Sequence, residues 1–193
     1  FDSYATKDGK LLFPQVLNMA DKSKDAAANQ NANSAPSQTP EEAAASVKKT
    51  DSPTLEAFVV ARCPFGLQTQ RAMAEAVKNM PSLAQYIKAR YIGSVSGNTI
   101  TSMHGDAEAQ ENLRQICIRD EQPTKYWNYV ACQMKTGGTE NFCATSTGVD
   151  IAKLNGCVSD VSRGVAFAKK DFDLAAKYDV SGSPTLVLNG TTI

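Results

Sequence analysis

From Leu55 to Ala61 the chain runs Leu-Glu-Ala-Phe-Val-Val-Ala, a short and mostly continuous apolar stretch that stops at Cys63-Pro64. Such a run is the mark of a strand buried on both faces. Proline directly after it suits the first position of a helix, where its missing N–H would have had no partner. A strand needing cover on both faces and leading straight into a helix restricts the chain to layered α/β folds.

The rest of the pattern is consistent with that choice. The periodicity predicts a helix over about 65–80, with Phe65, Met73, Ala76, Val77 and Met80 on its inner face. A second strand is expected over 87–95, parallel to the first through a right-handed crossover. Further helices are expected over 106–118, with Ala109, Leu113, Ile116 and Cys117 inward, and over 124–133, stopped by Gly137-Gly138. Shorter helical pieces cover 150–157 and 160–178. Thr185–Leu188 reads as a strand, followed by an Asn189-Gly190 turn and a returning strand. The expected architecture is β–α–β, a helical insertion at about 103–170, then a β-hairpin.

The ends suggest a piece of a longer protein. Residue 1 is phenylalanine, and the strand after Gly190 has three residues before the chain stops, so a C-terminally truncated domain is expected. Residues 1–14 read as a small hairpin about Lys7-Asp8-Gly9-Lys10, and 1–19 as the tail of an upstream β-rich domain. Residues 20–52 are rich in Ala, Asn, Ser, Gln, Pro and Lys and are expected to be a disordered linker. The α/β domain is then 53–193.

Lysine plus arginine equals aspartate plus glutamate at 20 each, so no global field attracts nucleic acid or an anionic membrane. No apolar run approaches the ~20 residues of a spanning helix, and membrane anchoring is not visible. The five cysteines, Cys63, Cys117, Cys132, Cys143 and Cys157, form no Cys-x-x-Cys pair, and with one histidine they argue against zinc. No metal or other cofactor is expected. An odd count suits two disulfides and one free thiol, hence an oxidising, extracytoplasmic compartment: a bacterial envelope, a lumen or the exterior.

Cys63 falls where the strand hands over to the helix. Unpaired N–H groups in a helix's first turn favour a thiolate, so this placement predicts a reactive thiol. Far away, Ser183-Pro184 begins the strand Thr185–Leu188. A cis bond there would leave the backbone of Ser183 free to pair with an extended peptide.

The two elements together, Cys63-Pro64-Phe65-Gly66 and Leu174 through Thr185, resemble the thioredoxin-fold, DsbA-like oxidoreductases. The segment Ser102-Met103-His104-Gly105 through Cys117 is similar to the signature of the gamma-interferon-inducible lysosomal thiol reductases. That signature reads Cys-Gln-His-Gly, two residues, Glu-Cys, two residues, Asn, four residues, Cys. His104, Gly105, Glu108, Asn112 and Cys117 match in register. The resemblance implies a thioredoxin-like fold over about 53–193 and thiol–disulfide chemistry at Cys63, and in such proteins the proline equivalent to Pro184 is cis. It also departs from the pattern. Gly66 stands where the family's second active-site cysteine would be, and Ser102 and Ala109 replace two signature cysteines that are lost together.

A dithiol closes its own ring, whereas Cys63 alone needs an outside thiol to resolve a mixed disulfide. The expected function is monothiol exchange on protein or peptide disulfides, of an isomerase-like kind, with Cys63 as nucleophile. Pro64, Phe65, Gly66, Ser183 and Pro184 are expected to hold substrate, and an external thiol or redox partner protein to resolve it. A resolving cysteine beyond Ile193 would serve the same purpose. One rival is a binding or chaperone-like module that has lost redox cycling. The other is a monothiol glutaredoxin-like protein holding an iron–sulfur cluster with glutathione, which the four further cysteines disfavour.

Those four are expected to staple the insertion. Cys117 and Cys132 sit at opposite ends of a helical hairpin, roughly 10 Å apart at helical rise and too far to bridge. The expected pairs are therefore Cys132–Cys143 and Cys117–Cys157. His104 reads as a loop residue before a helix, Tyr126, Trp127 and Tyr129 as packing within the insertion, and Lys48-Lys49 and Lys169-Lys170 as solvated charge.

Overall fold

The structure is a computed structural model that describes Tyr4–Ala5, Leu12–Phe13, residue 47, and residues 49–136 and 140–193. The chain divides into two compact units, Phe1–Thr39 and Pro40–Ile193. In the first, β1 (Tyr4–Ala5) pairs antiparallel with β2 (Leu12–Phe13), Tyr4 opposite Phe13. Apart from Val47 and 49–52, the expected linker lies outside the described residues, as does the expected Gly137-Gly138 turn.

The second unit is built on a mixed four-stranded sheet in the order β4 (Ile87–Tyr91), β3 (Leu55–Val59), β7 (Thr185–Leu188), β8 (Thr191–Thr192). β3 runs parallel to β4 and antiparallel to β7. Ala57, Phe58 and Val59 are all fully buried. Successive side chains of a strand face opposite ways. Ala57 and Val59 therefore join Met73, Val77 and Tyr91 on one face, while Phe58 joins Ala175 and Val187 on the other. The apolar run is continuous because both faces are covered.

Helix α1 (Pro64–Asn79) crosses one face with Gly66, Gln70, Met73, Ala74 and Val77 buried. Phe65 is 67 % exposed and Met80 55 %, so neither belongs to the inner stripe expected for them. Two residues that hydropathy discounts take that stripe instead. Gly66 allows close backbone approach, and buried Gln70 donates from Nε2 to Tyr91 Oη and Gln115 Oε1. The expected second strand is also shorter. It ends at Tyr91, and the chain then forms a separate hairpin, β5 (Ser94–Ser96) and β6 (Thr99–Thr101), turning at Gly97 with φ 59°.

The insertion comprises α2 (Asp106–Glu121), α3 (Pro123–Thr136), α4 (Glu140–Ser146) and α5 (Ile151–Ser159). A π-helical turn, Val161–Val165, leads into α6 (Ala166–Lys177), which returns to the sheet. Disulfides join Cys117 to Cys157 and Cys132 to Cys143. Cys117, Cys143 and Cys157 lie in a second core with Ile118, Tyr126, Tyr129, Val130 and Leu154. The fold is thioredoxin-like, with a disulfide-stapled helical insertion. The outer edge of β4 is closed by side chains: Asp171 accepts from Tyr91 N at 3.1 Å, and Arg119 Nη1 bonds both Ala89 O and Asp171.

Candidate active site

The pairing of β3 with β7 decides the site. Phe58 lies opposite Thr185, so the residues just after β3 meet those just before β7. Val60 N donates to Ser183 Oγ at 3.0 Å. Cys63 follows as the N-cap of α1, 8 % exposed, with Sγ 3.4 Å from Ser183 O. The Ser183–Pro184 peptide is cis. Cys63 is the free cysteine.

Every backbone donor from Val60 to Cys63 has a partner. Ala61 N donates to Asn112 Oδ1 at 2.8 Å, Arg62 N to Glu108 Oε2 at 3.2 Å, and Cys63 N to Val60 O at 3.2 Å. The Arg62 guanidinium reaches Glu140 on α4 at 2.7 Å. Glu108 is fully buried, and it also accepts from Ser102 Oγ at 2.7 Å and from His104 N at 3.2 Å, with His104 Nδ1 at 2.8 Å. Burial pushes this carboxyl up, but the hydrogen bonds from His104 and Ser102 outweigh it and hold the group below its ordinary value. One turn along α2, Glu111 is raised to about 7 by burial, which its bonds from Gln115 and Tyr129 only partly offset.

Gly66 faces the same point from α1. A Cβ added there would stand 2.5 Å from Ser183 Oγ, 3.1 Å from Val60 O and 3.4 Å from Val59 Cβ. Exposed apolar side chains occur on three segments that carry or bond to the Cys63 loop. Phe65 follows Pro64, Met103 (54 % exposed) precedes His104, and Phe142 (57 %) lies two residues after Glu140.

The structure thus brings Cys63, Gly66 and Ser183 together, while Phe65 turns outward. His104, which the sequence suggested was an incidental loop residue, is bonded to the carboxylate that holds Arg62. Sequence reasoning missed Glu108, Asn112 and Ser102 as neighbours of Cys63. The available signal was the signature spacing itself, which sets Glu108 and Asn112 four apart on one helical face. Their partners are backbone N–H groups, which no side-chain pattern reveals. Tyr126 and Tyr129 are buried in the insertion. Among the described residues no cluster of metal-ligating side chains occurs, and no helix is long and apolar enough to cross a membrane. A pocket of about 420 Å³ lies elsewhere, beside β4, lined in part by Ile87, Ala89, Pro123 and Trp127.

The sequence model of the gamma interferon inducible lysosomal thiol reductase family matches residues 54–159, more than half of the chain. No protein with a curated description matches. Among solved structures, oxidised BdbD from Bacillus subtilis is similar with a TM-score of 0.54 and 17% identity, over 76% of this chain and 82% of that one. The thiol-disulfide exchange protein α-DsbA2 from Wolbachia pipientis gives a TM-score of 0.55 and 12% identity, over 76% of each chain. A thioredoxin-like oxidoreductase from Silicibacter pomeroyi gives 0.51 and 19%, over 73% and 76%. At these identities the structures speak for the fold, and the family match for the lineage. The chain belongs to the gamma interferon inducible lysosomal thiol reductase family, which is of thiol–disulfide oxidoreductase type.

Proposed function

We propose that this protein exchanges thiols with protein or peptide disulfides through Cys63 alone. The observation that carries the reading is the position of Cys63 Sγ at the start of α1, 3.4 Å from Ser183 O, with residue 66 a glycine whose Cβ space is taken by Ser183. The Cys63 thiolate attacks one sulfur of the substrate disulfide. That S–S bond breaks, a Cys63–substrate disulfide forms, and the expelled thiolate takes up a proton. Either another thiol of the substrate attacks the substrate sulfur bonded to Cys63, forming a rearranged disulfide, or an external thiol attacks that sulfur; both break the mixed disulfide and release the Cys63 thiolate. No net electrons enter or leave Cys63 over the cycle.

Pro64, Phe65, Gly66, Ser183 and Pro184 are the substrate-holding residues in this reading. Exposed Phe65, Met103 and Phe142 favour polypeptides with apolar residues beside their cysteines. Two disulfides and the family favour an extracytoplasmic location, with 53–193 as the working domain on a linker of 20–52.

The test is capture of the intermediate. The protein is incubated with a peptide carrying one disulfide, quenched in acid and analysed by mass spectrometry, with Cys63→Ala as control. A Cys63–peptide adduct that forms and is cleared by glutathione supports exchange. A peptide that binds without any adduct would favour the binding module that the loss of a second thiol also suggests.

A further inference from the structure

The exchange reading of Cys63 makes no use of Ser102, His104, Glu108 or Asn112, yet these four side chains form one connected set. Asn112 Nδ2 donates to Ser102 Oγ at 2.9 Å, and Ser102 Oγ donates to Glu108. An ionised carboxylate can only accept, so His104 Nδ1 carries the proton that faces Glu108. The set ends on two donors, Ala61 N and Arg62 N, immediately before Cys63. Glu108 and Asn112 are fully buried. Burying a carboxylate carries a desolvation penalty that an apolar residue in the same place would avoid. Their bonds run to each other's partners and to the Cys63 loop.

We propose that Glu108 and Asn112 are positioning residues for Cys63, acting through the backbone of Ala61 and Arg62, and that His104 and Ser102 act through them. The part of the family signature that survives here is then a clamp on the thiol-bearing loop, which seats Sγ against Ser183 O. Exchange needs three sulfurs nearly in line, so a loop free to move would lose rate even with its thiol intact. Alkylation by a small reagent has no such requirement and is limited by access. Loss of the clamp therefore moves the two reactions in opposite directions, which a purely structural role would not do. The purpose assigned to the clamp rests on the exchange reading, but its existence does not.

The experiment compares the full chain with His104→Leu, Asn112→Leu and the conservative His104→Asn. Iodoacetamide alkylation of Cys63, mixed-disulfide formation and the melting temperature are measured for each. The leucine variants should be exchanged about tenfold more slowly or worse, and alkylated several-fold faster, with melting within about 5 °C of the parent. His104→Asn keeps an N–H for Glu108, so it should recover most of both rates. Leucine variants that fold and match the parent in both reactions overturn the clamp, as does His104→Asn if it is as impaired as His104→Leu. Should Asn112→Leu not fold, the half-exposed His104 still decides the matter. Should the parent form no mixed disulfide, the exchange reading fails while the alkylation rates still test the clamp.

Discussion

Ser183 Oγ occupies the space into which a side chain on residue 66 would grow, 2.5 Å from the Cβ position of Gly66. The same hydroxyl accepts from Val60 N, so it is held in place by the strand it borders. Glycine at 66 and serine at 183 are therefore a fitted pair.

Restoring a second cysteine should need both positions to change. Gly66→Cys alone forces Ser183 to turn and strand Val60 N, at about 1–3 kcal/mol for an unmade buried bond. A disulfide between Cys63 and the introduced thiol should then form poorly in glutathione buffer. Gly66→Cys with Ser183→Ala loses the same bond from Val60 N but removes the clash, and should oxidise more readily, read as loss of two alkylatable thiols by mass spectrometry. Equal oxidation of the single and double variants would mean that Ser183 offers no obstacle.

Asp171 should be among the most sensitive positions in the core. It is fully buried and accepts from Arg90, Arg119 and Tyr91 N at the edge of β4. Asp171→Ala strands Tyr91 N and takes the shared carboxylate from Arg90 and Arg119, which keep only Glu56 and Asp120 as acidic partners. A loss of about 3–5 kcal/mol is expected from removing one partner of a buried pair, measured by urea unfolding.

Glu111 should make the protein less stable as pH rises. Its carboxyl is held at about 7 in the fold against 4.5 when free, so the folded state keeps a proton that the unfolded chain has released. Stability from this group is present below 4.5 and lost between 4.5 and about 7, on the order of 3 kcal/mol by linkage. Glu108 is lowered, so its contribution runs the other way and is lost as pH falls through its folded value. Glu111→Gln should flatten the unfolding free energy across the higher window, measured by urea titrations at a series of pH values.

The two disulfides should reduce in order. Cys132 is partly exposed, whereas Cys117 and Cys157 are 1% and 0% exposed. Limited phosphine treatment should open Cys132–Cys143 first, as read by peptide mapping. Their separations are 11 and 40 residues. In the chain-entropy picture, replacing the Cys132–Cys143 pair by alanines costs about 3 kcal/mol and the Cys117–Cys157 pair about 4 kcal/mol.

Much of the fold was legible in the residues. The strand Thr185–Leu188 was placed by the turn after it, and α2 from Asp106 by the period of its inward apolar residues. The run at Leu55 announced a strand covered on both faces. Helix α4 and the β5–β6 hairpin were not foreseen, because each is short and too polar to show a period. Phe65 was counted into the core because hydropathy cannot tell that a glycine and a glutamine will occupy the stripe it should have filled.

By itself, the sequence determined the chemistry available: one cysteine at the end of a buried strand, no second thiol beside it, and four more cysteines spaced to staple helices. These are matters of residue type and local period, which need no folding to be read. The tertiary structure alone decided what surrounds that thiol. The antiparallel register of β3 with β7 brings in Ser183 across 120 residues, and one face of α2 supplies Glu108 and Asn112 to the backbone of Ala61 and Arg62. Contacts between a side chain and a distant peptide N–H leave no trace in the pattern of the residue that donates, because every non-proline residue carries the same donor.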